Sequence, residues 1–126
     1  MREEIENWWK QAHSDFRKAE VLYDTENFDG AVFYFHQSVE KALKAISLIK
    51  LREIPKGHSL RYLATRVGVP DKMISGINDL NSEYLACRYP DAACGVPSEL
   101  YDRQIADRHR RTAEEVLKWA ENLTKE

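Results

Sequence analysis

From Ile5 to Ile49 the chain carries two apolar stripes at helical spacing, and nowhere does it hold a strand's two-residue alternation for long enough to form one. The first stripe is Ile5, Trp8, Trp9, Ala12, Phe16, Ala19, Leu22 and Tyr23, with Glu3, Glu6, Lys10, Asp15, Lys18 and Glu20 on the opposite, wet face. Thr25-Glu26-Asn27 interrupts it, and Asn27 or Asp29 is placed to cap the next helix by accepting from free N–H groups. The second stripe runs through Phe28, Val32, Phe35, Val39, Leu43, Ile46 and Ile49, with Ala31, Ala42 and Ala45 where another helix must come close. It stops before Pro55 and Gly57. Only Val67-Gly68-Val69 alternates, and it is too short for a strand.

The remaining chain continues in the same period. Ser59 caps a short helix carrying Leu60, Leu63, Ala64 and Val67, closed by Gly68. Pro70 suits the first turn of a fourth helix that presents Met73, Ile77, Leu80, Tyr84 and Cys87 and ends before Pro90. Arg88 to Pro97 reads as a loop. Ser98 is expected to cap a last helix with Ile105, Ala106, His109, Ala113, Val116, Leu117, Ala120 and Leu123 on its apolar face. Four long helices and one short one, joined by brief loops, predict an all-α up-and-down bundle. At 126 residues such a chain buries roughly two thirds of its unfolded surface and needs no disulfide or structural metal to fold.

Charge and composition exclude some functions. Nineteen Lys and Arg against 21 Asp and Glu leave no global positive excess to release counterions from a nucleic-acid backbone. No apolar run approaches the roughly 20 residues that span a bilayer, and the acidic Met1-Arg2-Glu3-Glu4 start does not resemble a secretion signal, so no membrane is expected. Cys87 and Cys94 read as two thiols of a reducing, cytoplasmic protein. Phosphate-binding glycine loops, HExxH and GxSxG are all absent, and no cofactor or metal is expected. Cys87, Cys94, His58 and His109 lack the spacing of a zinc motif.

Three places combine polar chemistry with apolar surroundings. His36-Gln37 and Glu40-Lys41 lie mid-helix, where a solvated flank with a Glu40–Lys44 pair is the leading expectation. The Lys56-Gly57-His58-Ser59 turn precedes a helix, so Lys56, His58 and free N–H groups can hold an anion, or the turn is simply a cap. Arg88-Tyr89-Pro90-Asp91 ends the fourth helix: it can stack on a nucleotide, or it can lock the loop, with Arg88 on the preceding carbonyls and Asp91 on the backbone. In the last helix His109 falls on the apolar face among Arg103, Arg108, Arg110 and Arg111, with Arg103–Asp107 and Asp107–Arg111 at salt-bridge spacing.

The run Phe35-His36-Gln37-Ser38-Val39-Glu40-Lys41-Ala42-Leu43-Lys44-Ala45 resembles the second-helix signature of HEPN domains (Higher Eukaryotes and Prokaryotes Nucleotide-binding). Lys56-x-His58-Ser59-Leu60 is similar to that family's loop, and Arg88-Tyr89-Pro90-Asp91 resembles its segment after the fourth helix. Trp9-x-x-x-Ala12-x-x-Asp15 and the closing helix also fit, so the resemblance covers residues 1–126 as one domain.

That resemblance implies a homodimeric bundle that binds an ATP-like nucleotide or RNA and acts with a minimal nucleotidyltransferase in a toxin–antitoxin-like pair. The implied nucleotide-binding residues are Lys41, His58, Arg88, Tyr89 and Arg103, with the arginines on phosphate and Tyr89 against a base. Many HEPN proteins are also metal-independent endoribonucleases with Arg-x(4–6)-His. Here Arg52…His58 and Arg103…His109 match that spacing, and Arg103 with His109 is the better catalytic pair because it lies on a helix. On an ideal helix those two residues point roughly 240° apart. No histidine stands four to six residues after Arg88. A third reading is a non-catalytic dimerisation module whose seam includes Trp8, Trp9 and Trp119.

Overall fold

The computed structural model describes residues 2–125, and these are helical nearly throughout, in the order α1 (Arg2–Asp24), α2 (Phe28–Leu51), α3 (Leu60–Val67), α4 (Asp71–Asn81), α5 (Glu83–Ala86), α6 (Pro90–Ala93), α7 (Pro97–Leu100) and α8 (Arg103–Thr124). No strand occurs among the described residues. α2 is the central element, packed along α1 and against α3 and α8, while α4 closes the bundle between α3 and α8. Its burial follows from its sequence: Ala31, Val32, Phe35, Val39, Ala42, Leu43, Ala45 and Ile46 are all fully enclosed. The alanines bring neighbouring backbones close, and Phe35 meets Phe16 of α1 edge to face at 5.5 Å. Ser38 donates to the Ala12 carbonyl at 2.7 Å, tying α1 to α2 at their mid-height.

The termini explain where sequence and structure part. Asn27 holds the cap position of α2, yet its side chain donates back to Thr25 and makes no cap bond. Arg52 ends α2 in the left-handed region at φ +58°, and Gly68 ends α3 there at φ +73°. Ser59 does cap α3, accepting from the Tyr62 N–H. Pro70 stands just before α4 rather than inside its first turn. The expected fourth helix breaks at Ser82, whose hydroxyl donates to the Asp79 carbonyl.

The expected loop from Arg88 to Pro97 instead contains α6 and the start of α7. Pro90 and Pro97 each begin a helical turn, because a first-turn proline gives up an N–H that would be unsatisfied anyway. Ser98 therefore lies inside α7. Asp102 caps the last helix, accepting from the Ile105 N–H at 2.9 Å.

α4 and α8 come close together at Gly76, where an added Cβ would stand 2.6 Å from Thr112 Oγ1. Gly76→Ala should lower unfolding free energy by about 1–3 kcal/mol despite alanine's better helix propensity. Urea denaturation reads this directly, and Gly76→Ala with Thr112→Ala should recover most of the loss.

Candidate functional site

Glu40 lies on α2 and is only 3% exposed. A buried carboxylate needs compensation, and it has two partners: Lys44 one turn along α2 at 3.1 Å, and His58 Nδ1 at 3.0 and 3.2 Å from its two oxygens. The expected Glu40–Lys44 pair is therefore present, but not on a solvated flank, since His36, Glu40 and Lys44 are all buried. The loop carrying His58 and the short helix α5 cover this stretch of α2. The His58 ring in turn lies flat on Tyr84 of α5, with centroids 4.4 Å apart and planes 14° apart.

The first turn of α3, which follows His58, is capped by side chains: Asn81 Oδ1, from the end of α4, accepts from both Leu60 and Arg61 N–H, and Ser59 Oγ accepts from Tyr62 N–H. These three amides are engaged by the cap and are not open to an anion. His58 itself remains exposed at the surface.

Arg88 stands on the other side of the same cluster. Its guanidinium carbon is 4.4 Å from the centre of the Phe33 ring, 4.7 Å from Tyr84 and 5.0 Å from Tyr89. Its Nε donates to the Tyr84 carbonyl at 3.0 Å, and Asp91 accepts from the Ala92 N–H, so the segment is locked internally while Tyr89 stays 47% exposed. Beneath lies His36, fully buried, 5.2 Å from the Tyr84 ring and without a partner for either ring nitrogen among the described residues. Burial holds it neutral, lowering its pKa from 6.5 to about 4.

Of the residues expected to bind nucleotide, His58, Arg88 and Tyr89 thus share one surface around Tyr84. Lys41 and Arg103 are engaged elsewhere. Lys41 bonds the buried Asp15 of α1, which Gln11 and Lys18 also contact. Arg103 pairs with Glu26 at 3.6 Å rather than with Asp107, and it lies 5.1 Å from both the Tyr23 and Phe28 rings. Asp107 does pair with Arg111.

His109 is wholly enclosed, with Nε2 2.8 Å from Glu83 Oε2, and Tyr101 donates to the other oxygen of Glu83 at 2.5 Å. Asp79, itself bonded to Arg108, lies 3.9 Å from His109 Nδ1. This network anchors α5 and the α7 segment onto α8. Sequence reading missed Glu83 altogether and placed Tyr84 only in the apolar stripe; the signal was the i, i+4 spacing of Tyr84 and Arg88 at a helix end. Trp9 and Trp119 pack against the core and Trp8 lies beside Lys44, and all three tryptophans are partly buried. Both cysteines are free; burial, with Glu83 near, pushes the Cys87 thiol up to about 12. Among the described residues no helix is long and apolar enough to cross a membrane.

This arrangement of helices recurs in known proteins. The sequence profile described as the HEPN domain matches residues 5–123, and the chain belongs to that family. A protein of Methanocaldococcus jannaschii with the name "Putative toxin MJ1304" is 28% identical over 93% of this chain and 86% of its own length. Among solved structures, TT1696 of Thermus thermophilus superposes with a TM-score of 0.87 at 28% identity, over 94% of this chain and 96% of that one. ST0689, described as an archaeal HEPN homologue, gives 0.83 at 30% identity over 95% and 97%. The fold alone is shared with an HEPN domain protein of Thermotoga maritima, at a TM-score of 0.72 and 21% identity over 93% and 96%.

The state of His36 has a measurable consequence. Its pKa is depressed on folding, so between pH 6.5 and 4 the unfolded chain takes up a proton that the folded chain refuses. Stability contributed by neutral His36 is present above pH 6.5 and is lost as pH falls toward 4, by about 3 kcal/mol in all. Comparing urea midpoints of the protein and His36→Leu across that range isolates the effect, which the variant should lack.

Proposed function

We propose that this HEPN protein is a nucleotide-binding module whose ligand lies over Arg88 and Tyr89 beside His58, and that it works with a minimal nucleotidyltransferase as a toxin–antitoxin-like pair. One observation carries the reading: a guanidinium held against three aromatic rings, of which Tyr89 is exposed and Tyr84 carries the exposed His58 imidazole on its face. Arg88 is the phosphate-binding group, Tyr89 the stacking surface for a base, and His58 a second polar contact oriented by Glu40. The toxin name of the Methanocaldococcus relative supports the pairing. So does the exposure of Leu85, Val96 and Leu100 in the same segment as Tyr89, an apolar margin suited to a protein partner or to the second copy of a homodimer.

The ribonuclease reading through Arg103 and His109 has less support, because His109 is enclosed and hydrogen-bonded to Glu83 while Arg103 is stacked at the far side of the Tyr23 and Phe28 rings. Titration of ATP and AMP by calorimetry tests the binding proposal. Arg88→Ala should weaken binding about tenfold or more, the ~1.5–3 kcal/mol of a charge-assisted contact, and Tyr89→Ala should weaken it less. Equal affinity in Arg88→Ala would remove the site from this surface. RNA incubated with the protein in EDTA should stay intact; cleavage abolished by His109→Ala in a folded protein would put the ribonuclease reading in its place.

A further inference from the structure

The cluster around Arg88 does not end at Phe33. Phe33 meets Tyr34 edge to face, with ring centroids 5.2 Å apart, and the Lys18 ammonium of α1 stands 5.7 Å from the centre of the Tyr34 ring. From His58 through Tyr84, Arg88, Phe33 and Tyr34 to Lys18, successive neighbours are thus separated by 4.4 to 5.7 Å. The far end opens into a groove of about 450 Å³ between α1 and α2, lined by Ser14, Arg17, Lys18, Val21, Leu22 and Tyr34. Arg17 and Lys18 are exposed, and Val21 is 58% exposed despite being apolar. No acidic side chain lines the groove among the described residues. The nearby Asp15 is buried and has Lys41 as a direct partner besides Lys18, so its charge is compensated from within.

Along this path His58 and Arg88 cover Tyr84 and Arg88 lies against Phe33, so the rings left for bases are Tyr89 at one end and Tyr34 at the other, each beside a cation. That pairing suits unpaired bases joined by phosphates, because a ring stacks on a base of any identity and a cation meets a backbone charge. A duplex would hide the base faces that such rings need. A lone mononucleotide over Arg88 and Tyr89 would leave the Tyr34 groove unfilled. We propose that the α1–α2 groove is a second subsite, continuous with the Arg88–Tyr89 site, which takes the adjoining nucleotides of a single-stranded oligonucleotide. Arg17 and Lys18 meet its phosphates and Tyr34 meets a base. This rests on the nucleotide-binding reading of Arg88, and it adds a direction and a length to it.

The test is the dependence of affinity on chain length. Fluorescence anisotropy competition at fixed salt would compare AMP with single-stranded oligoadenylates of two, four and eight nucleotides, as RNA and as DNA, with an eight-base-pair duplex as control. For the protein, the ratio of octanucleotide to AMP affinity should be about tenfold or more, and the duplex should bind no better than AMP. Arg17→Glu should collapse that ratio several-fold, whereas Arg88→Ala should weaken AMP and octamer alike. Circular dichroism confirms the fold of each variant. A length dependence that survives Arg17→Glu overturns the second subsite and leaves the Arg88 site standing. Binding that Arg88→Ala does not weaken overturns the underlying reading, and with it the inference. RNA bound more tightly than DNA of equal length would identify RNA as the source of the strand; equal binding would identify single-stranded backbone and bases without regard to the sugar.

Discussion

Burying a carboxylate in the middle of a helix is costly unless cations or donors reach it, and Glu40 sets that requirement at the centre of α2. Lys44 answers it from the same helix. His58 answers it from a loop 18 residues further on, and this second partner fixes the loop against α2. With His58 in place, Tyr84 has a flat surface to pack on, and α5 is set in register over the bundle. Arg88 comes next, because the residue one turn beyond Tyr84 finds Phe33 below it and the Tyr84 carbonyl beside it. The surface with the most chemistry in the molecule is therefore assembled outward from one buried negative charge. Replacing Glu40 with a neutral residue would leave Lys44 buried without its counter-ion and would release the imidazole, so stability and site geometry are coupled through a single side chain.

A second network of the same kind lies beneath it. Glu83 is next to Tyr84 in the chain and faces the opposite way, accepting from Tyr101 and meeting His109. Two buried carboxylates thus each hold a histidine at α5: Glu40 on α2 beneath it, and Glu83 as its own first residue. One histidine is exposed at the surface and the other is sealed inside, and this difference in exposure separates the group that can meet a ligand from the one that holds helices together.

The helices were legible in the sequence because their signals are local. The stripe from Phe28 to Ile49, the Ser59 cap and the Gly68 terminator each depend on residues within one or two turns. Errors arose where a distant side chain decided the outcome. Asn81 looks like an ordinary helical residue, yet its carboxamide serves the start of α3, and the helix gives way at the next residue. Pro90 and Pro97 suggest a loop because each stops the helix before it, but each also begins a new turn. The site was half legible. His58, Arg88 and Tyr89 stand out by residue type, whereas Lys41 and Arg103 fall to the pull of Asp15 and of the Tyr23–Phe28 pair, contacts that no spacing rule reveals. Sequence periodicity puts His109 on the inner face, and there it lies, but its partner Glu83 stands 26 residues away.

The double acceptance by Asn81 bears on how the molecule tolerates change. His58 is positioned from its C-terminal side and from below: Ser59 and Asn81 fix the first turn of α3, and Glu40 holds the ring. The chain from Arg52 to Gly57 contributes none of these bonds; Glu53 pairs instead with Arg66 of α3 at 2.9 Å. Side-chain changes at the exposed Glu53 and Lys56 therefore leave the anchors of the imidazole untouched, whereas Gly57, at φ +97°, holds a backbone conformation that L side chains rarely adopt, so the connector's freedom to vary stops one residue short of His58.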